Sequence, residues 1–175
     1  MMKRKLKIHH ILEHSWVNGP GCRAVLWTQG CPLNCPGCFN IPTHTLSDGV
    51  SYDPLELATY FNTIRNIRGI TISGGEPLIQ TGPLITMIKY LKPELDILLF
   101  SGFTLEEITK DTTKKRILHY IDAGLFGRYN KNLQHSFRGK KLVLHGKRIE
   151  RNEIKPYCAG ELFIDNNTIV ATGLF

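Results

Sequence analysis

No apolar run in this chain approaches the roughly 18 residues that a helix needs to span a bilayer. The longest, such as Leu95–Phe100, is short and carries an Asp. The first residues are basic but lead into Leu6-Lys7-Ile8-His9-His10 and not into the apolar core of a secretion signal. A cytoplasmic protein without a membrane partner is expected. Internal repeats, low-complexity tracts and Gly/Ser/Pro linkers are all missing, so residues 1–175 are read as a single domain. At 175 residues the chain is too short for a full eight-stranded (β/α) barrel, which takes about 250. Acidic residues are outnumbered, 15 against 22 Lys and Arg, for a net charge of +7. That balance favours acidic partners, although solubility alone accounts for it equally well. Even cysteine pairing is missing. The five cysteines are an odd set in a chain with no export signal, which argues against a disulfide framework. What remains, with 42% hydrophobic and 21% charged residues, is ordinary globular composition.

Strand and helix signals alternate along the first three quarters of the chain. Ile8–Ile11 is β-like, and Asn18-Gly19-Pro20-Gly21 breaks it. Cys22–Thr28 reads as a buried strand that stops at Gly30. Asp53 as cap, Pro54 at the first helical position and Glu56 behind it start a helix; Leu57, Tyr60, Phe61, Ile64 and Ile67 recur at its spacing, and Gly69 is expected to end it. Ile70–Ile72 is a second strand, closed by Gly74-Gly75. Pro83 opens a helix with Leu84, Met87, Ile88 and Leu91 on one face. Leu95–Phe100 is a third strand, and Thr104 with Glu107 forms a capping box for a short helix. Lys114–Tyr120 looks helical and Ile121–Phe126 looks like a fourth strand. The alternation predicts βαβ units around a parallel sheet. Beyond Gly127 it stops: Arg138–Arg151 is basic and broken by glycines, and Glu161–Thr172 predicts a hairpin around Asn166-Asn167.

The chemistry concentrates in Cys31-Pro32-Leu33-Asn34-Cys35-Pro36-Gly37-Cys38, three thiols within eight residues just past a strand end. Ligand sites gather at that end of the strands in parallel α/β folds. Soft sulfur suits zinc or iron–sulfur clusters. A closed zinc site wants four protein ligands, and Cys22, Cys158 and His44 are the candidates for a fourth. Three ligands alone would leave one iron of a [4Fe–4S] cube open, and an open position is what catalysis requires. Cys22, within a strand, has the makings of a small buried hydrophobe. Cys158, alone in the Pro156–Gly160 loop, offers little as a ligand. His9 and His10, on opposite strand faces, make a poor chelating pair.

The C-x-x-x-C-x-x-C loop after a first strand resembles the radical S-adenosylmethionine (radical SAM) superfamily. The other elements stand in the order that resemblance requires: Asn18–Trp27 before the loop, Phe39-Asn40 after it, Ser73-Gly74-Gly75-Glu76-Pro77 closing the second strand and Phe100-Ser101-Gly102-Phe103-Thr104 closing the third. Together with Tyr120-Ile121-Asp122 and Gly127-Arg128-Tyr129 they resemble the small activating enzymes of anaerobic (class III) ribonucleotide reductases. The likeness is good from Ile8 to about Tyr129 and weaker over the terminal hairpin. Two places depart from it. Phe126 stands where an acidic residue is usual, and the Arg-Gly-Ser-Ser/Asp-Asn-Gln-Arg segment is replaced by the basic run that begins Phe137-Arg138-Gly139-Lys140-Lys141.

The resemblance implies a shortened, open, partial (β/α) barrel over about residues 8–129, with a basic segment and a small C-terminal β extension over 130–175. It implies that Cys31, Cys35 and Cys38 hold a [4Fe–4S] cluster whose fourth iron binds S-adenosylmethionine. It further implies that the enzyme, fed by a donor such as flavodoxin or ferredoxin, makes a 5′-deoxyadenosyl radical and installs a glycyl radical on anaerobic ribonucleotide reductase. Gly37, Cys38, Phe39, Gly74, Gly75, Glu76 and Ser101 would line the cofactor. In that reading the glycines admit close backbone approach, Glu76 or nearby carbonyls take the ammonium protons, Phe39 lies near the adenine and Ser101 near the ribose. Thr104, also near the ribose, competes as a helix cap. The basic run offers a docking face for an acidic partner. The rival readings are a radical SAM enzyme acting directly on a peptide or small metabolite and, from a different class, a zinc-stabilised nucleic-acid-binding module.

Overall fold

The computed structural model describes residues 5–133, 139–146, 148–155, 160–165 and 168–173. Its elements run β1 (Leu6–Ser15), β2 (Arg23–Thr28), β3 (Val50–Tyr52), α1 (Pro54–Thr63), β4 (Gly69–Gly74), α2 (Thr81–Lys89), β5 (Asp96–Ser101), α3 (Leu105–Lys110), α4 (Thr112–Lys115), β6 (Ala123–Phe126), β7 (Lys141–Leu144), β8 (Gly160–Asp165) and β9 (Thr168–Gly173). Seven strands form one sheet in the order β3-β1-β2-β4-β5-β6-β7, while β8 and β9 pair separately. The four central strands, β2, β4, β5 and β6, are parallel. Antiparallel β1 and β3 extend one edge and antiparallel β7 the other. The fold is thus mixed α/β around a parallel centre.

The central strands read as nearly unbroken apolar runs because both of their faces are covered. One face, with Leu26, Ile72 and Leu99, packs against Phe61 of α1, Met87 of α2 and Ile108 of α3. The other, with Leu98 and Ala123, lies against Ile149 from the chain beyond β7. Each fully buried side chain of this size contributes about 1.5–3 kcal/mol. Among the described residues no helix is long and apolar enough to cross a membrane.

Several element ends differ from expectation for identifiable reasons. The first strand is longer than Ile8–Ile11 because it pairs on both sides, with β2 and with β3. Helix α1 starts where expected, with Asp53 accepting from the Leu55 N–H, but it ends at Thr63 and not at Gly69. Gly69 instead opens β4 opposite Asp96, where a Cβ would stand 2.2 Å from the Asp96 carbonyl oxygen; only glycine fits that pairing. Helix α2 starts two residues before Pro83, whose missing N–H falls within the first turn, where it has no partner to lose. The stretch Lys114–Tyr120 divides into the end of α4 and a 3₁₀ turn, Arg116–His119. The fourth strand begins at Ala123, because Asp122 uses its side chain to accept from the Ile97 N–H at 2.8 Å. The basic segment contains a strand, β7, that periodicity alone did not reveal. The terminal hairpin is present, with its two-residue tip at 166–167 outside the described residues.

Candidate metal and cofactor site

Register places four strand ends together. Thr28 pairs with Gly74, and Ser101 pairs with Phe126. The three-cysteine loop leaves β2 at this end of the sheet, beside the Gly74-Gly75 turn. Backbone bonds fix where it starts: Gly30 N–H donates to Thr43 O at 2.7 Å and Cys31 N–H to His44 O at 3.0 Å. Gly75 N–H donates to Thr28 O and Glu76 N–H to Gly30 O, at 2.9 and 2.8 Å. Asn40 ties the far side of the loop to the same turn, its amide donating to Gly74 O at 2.8 Å. Within the loop, Asn34 takes a left-handed φ of 44°, and Cys38 N–H donates to Cys35 O at 3.1 Å.

The glycines answer to packing first. A Cβ on Gly75 would lie 2.4 Å from Gly30 O, and one on Gly74, at φ +110°, 2.3 Å from Thr28 N. Neither neighbour can give way, since both are backbone. The close approach is therefore to the base of the cysteine loop, which glycine lets sit directly on the end of β4. Gly102 serves the third strand similarly: Leu33 of the loop would stand 2.3 Å from a Cβ there.

Glu76 is fully buried, and both of its carboxylate oxygens are engaged within the protein. It accepts from Leu78 N–H (2.9 Å), Ser101 Oγ–H (2.8 Å) and Gly102 N–H (2.7 Å). Burial pushes its carboxyl above the ordinary range, while these three donors and the Lys140 charge oppose the shift. Ser101 in turn accepts from Phe103 N–H at 3.1 Å. Glu76 and Ser101 thus clamp the ends of β4 and β5 to each other. Thr104 and Glu107 form the reciprocal capping box of α3. Phe39 is 68% exposed, with its ring edge-on to Tyr129 at 5.4 Å between centroids. Gly37, at φ +69°, lies against the Lys131 side chain.

The three thiols are half-buried and free. Cys31 is pushed up by burial, with the charges of Glu76, Cys35 and Cys38 adding to the shift, so all three thiols lie within electrostatic reach of one another. They are not drawn into a ligating triad: among the described residues, no three His, Cys, Asp or Glu side chains stand in a metal-binding group. The soft thiols of the loop suit an iron–sulfur cluster or zinc, and of the candidates for a fourth ligand His44 stands at the base of the loop, its carbonyl accepting from the Cys31 N–H. Cys22 is buried just before β2, at the opposite end of a six-residue strand, which places it about 17 Å or more away. Cys158 lies outside the described residues. His9 bonds Gln29 and His10 lies against the Trp27 ring, so that pair gathers nothing.

On sequence alone Arg128 has no role beyond the resemblance and Lys140 belongs to a docking face; the structure brings both to this end. Arg128 forms a two-pronged ion pair with Glu107 (2.9 and 2.7 Å) and donates to Gly102 O. Lys140 reaches the carbonyls that close β5 and β6. The other basic residues of its segment scatter. Lys141 is exposed, Arg148 pairs with Asp122 at the other end of the sheet, and Arg138 and Lys147 lie outside the described residues. The single docking face expected of that run does not form among the described residues.

Among the described residues the strand-end loop holds three of the four cysteines. Residues 17–145 match the family described as "4Fe-4S single cluster domain". Curated relatives named anaerobic ribonucleoside-triphosphate reductase-activating protein match as well. The one from Enterobacteria phage T4 is 36% identical over 126 residues, 67% of this chain and 78% of the relative. Those from Vibrio cholerae and Escherichia coli K12 are 34% and 30% identical, over 71% and 74% of this chain and 84% and 88% of the relatives. The chain belongs to this family of 4Fe-4S activating proteins.

Proposed function

We propose that the chain is a radical SAM activase. In this reading Cys31, Cys35 and Cys38 hold one [4Fe–4S] cluster, and the protein installs a glycyl radical on an anaerobic ribonucleoside-triphosphate reductase. The observation that carries it is the three-thiol loop seated by backbone contacts on the Gly74-Gly75 turn at the mouth of four parallel strands, in a chain whose relatives are named as activators of that reductase. When bound, the cluster would pass one electron, taken from a donor such as flavodoxin or ferredoxin, to the sulfonium of S-adenosylmethionine, releasing methionine and a 5′-deoxyadenosyl radical. The chemistry so supplied would remove a hydrogen atom from a backbone glycine of the partner, giving 5′-deoxyadenosine and a glycyl radical.

The chain's own part is placement. Gly37, Cys38 and Phe39 flank the last ligand, with the Phe39 ring free to cover an adenine. Gly74 and Gly75 bring the loop and the end of β4 together, and Gly74 O is held by Asn40. Glu76 and Ser101 act in this reading as positioning residues, since their polar atoms already serve each other. We read the parallel strands as the shortened, open (β/α) barrel of the radical SAM type.

The test is anaerobic reconstitution followed by dithionite and S-adenosylmethionine. About four iron and four sulfide per chain and release of 5′-deoxyadenosine are expected, then a glycyl radical signal on the co-incubated reductase. Zinc in place of iron, or no 5′-deoxyadenosine from iron-loaded protein, overturns the reading.

A further inference from the structure

The chain's net charge is concentrated in one stretch. Residues 123–149 hold seven Lys and Arg and no Asp or Glu, and outside them the remaining 15 Lys and Arg balance the 15 Asp and Glu. Part of that stretch is laid against the thiol loop. Past β6 the chain turns at Gly127, at φ +139°, and residues 128–133 form a strap that closes on its own turn. There Asn130 accepts from the Asn132 N–H through Oδ1 (3.0 Å) and from the Leu133 N–H through its carbonyl (3.1 Å). Two contacts seat the strap. A Cβ on Gly37, between the second and third thiols, would stand 2.7 Å from the Lys131 Cδ, and the Tyr129 ring meets the Phe39 ring edge-on. The loop thus rests on β4 through Gly30 and carries the strap at Gly37.

What the strap offers to solvent is charge and amide. Arg128, Asn130, Lys131 and Asn132 are exposed, and so is Lys141, in register with Phe126 at the same end of the sheet. Arg128 pairs with Glu107, whereas Lys131 and Lys141 have no carboxylate within ion-pairing distance among the described residues. This face is not the run Arg138–Arg151 as a whole, from which it takes only Lys141. Exposed cations hold a partner weakly. They do raise the rate at which an acidic partner arrives, and salt screens them beyond about 8–10 Å. Such a face suits a protein that arrives, acts against the loop and leaves, the small and weak kind of encounter that electron-transfer proteins make.

We infer that Arg128, Lys131 and Lys141 dock an acidic one-electron carrier protein that serves the thiol loop; this rests on the cluster assignment proposed above. One electron passes from the carrier to the cluster held by the loop, and no atom is transferred. The carrier therefore has to come up only against the Gly37 turn, whereas a partner that gives up a hydrogen atom has to reach the cofactor at the strand ends. That difference in reach assigns the charged strap to the carrier and not to the reductase.

The test is equilibrium binding of an oxidised flavodoxin of negative net charge to cluster-loaded, oxidised protein, so that no electron moves. At low salt, Lys131→Glu/Lys141→Glu is expected to bind it about 10-fold or more weakly than the parent, and Lys131→Gln/Lys141→Gln to lose less. The parent's affinity should fall as salt rises. Lys92→Glu/Arg151→Glu makes the same change in net charge with exposed residues at the other end of the sheet, and should stay within about threefold of the parent. A parent that does not bind the flavodoxin overturns the inference, as does a Lys131→Glu/Lys141→Glu pair within about threefold of the parent. An equal loss in Lys92→Glu/Arg151→Glu marks net charge alone, and a loss that travels with iron content or melting temperature marks a structural role; either overturns it too. So does a loss of reductase binding in place of flavodoxin binding, which gives the face to the other partner. A parent that takes up no iron sinks instead the cluster assignment on which the inference rests.

Discussion

The two ends of the parallel strands handle charge in opposite ways. At the N-terminal end the buried ionic groups among the described residues, Arg23, Asp96 and Asp122, each have a partner of opposite charge. Arg23, fully buried, pairs with Asp96 at 2.5 Å and donates to Thr71 Oγ and to the Pro20 and Ile70 carbonyls. Arg68 bridges Asp96 to Glu153, and Arg148 grips Asp122. These bonds stitch the starts of β2, β4, β5 and β6 to one another and to the chain beyond β7. At the C-terminal end stand three free thiols, the close-packed glycines Gly74, Gly75 and Gly102, and a lysine whose ammonium meets two strand-end carbonyls. The closed end carries stability, and the open end is the one at which parallel α/β folds in general place their ligands.

The largest expected break in this comparison is at the open end. Replacing Cys31, Cys35 or Cys38 with Ala should abolish iron uptake on anaerobic reconstitution, read as loss of the brown chromophore, while leaving the apo-protein's melting temperature within a few degrees. Cys22→Ala, at the closed end, should keep the full iron content. A stable cluster in Cys35→Ala would refute the ligand set.

At the closed end the expected loss is in stability and not in chemistry. Asp96→Ala strands a fully buried guanidinium, and removing one partner of such a pair costs about 3–5 kcal/mol. The urea midpoint should fall accordingly, with iron bound per folded chain unchanged. A loss under 1 kcal/mol would mean that Arg23 is satisfied by its neutral acceptors alone.

Between these lies the Gly75 turn, where packing and site meet. Gly75→Ala drives a methyl against the Gly30 carbonyl and should cost about 1–3 kcal/mol. The same change at Gly82, where a Cβ meets nothing within 4 Å, should be neutral or slightly stabilising. Equal stabilities for the two variants would show that the cysteine loop does not rest on β4 as described.

What the sequence disclosed follows the same division. The cysteine loop, the Gly74-Gly75 turn and the helix caps at Asp53 and Thr104 were legible because each rests on residue types at short, fixed spacing. The charge network was not, because its partners are 28, 73 and 85 residues apart in the chain and each looks alone like a solvated ion. Lys140 was hidden for the same reason. In a run of lysines and arginines it reads as surface charge, and only the pairing of β7 with β6 turns it inward. Glu76 was expected beside the cofactor, but its saturation by Ser101 and Gly102 depends on the lateral pairing of β4 with β5, which no local pattern reports. Gly69 was misassigned as a helix end because a glycine stop and a glycine demanded by a facing carbonyl look alike in one dimension.

The smallest predicted effect is a pH dependence at the rim of the closed end. Arg68 holds the Glu153 carboxyl down to about 2, the guanidinium hydrogen bonds being the main cause and the Glu150 N–H the next. A carboxyl lowered on folding contributes stability that is complete above its unfolded pKa, about 4.5, and is lost as pH falls through about 2. Both side chains are 31% exposed, so solvent screening reduces the contribution to roughly 1–2 kcal/mol. Glu153→Gln should therefore be less stable than the parent by that amount at pH 7, with the gap narrowing below about pH 4.5 and closing near pH 2. Other carboxyls titrate in the same window, but they are common to both proteins and cancel in the difference between their unfolding curves. A difference that stays constant from pH 7 to pH 3 would show that the Arg68–Glu153 contact is neutral in solution. The segment around Glu153 would then be held by Ile149 and Ile154 in the second apolar cluster, and not by charge.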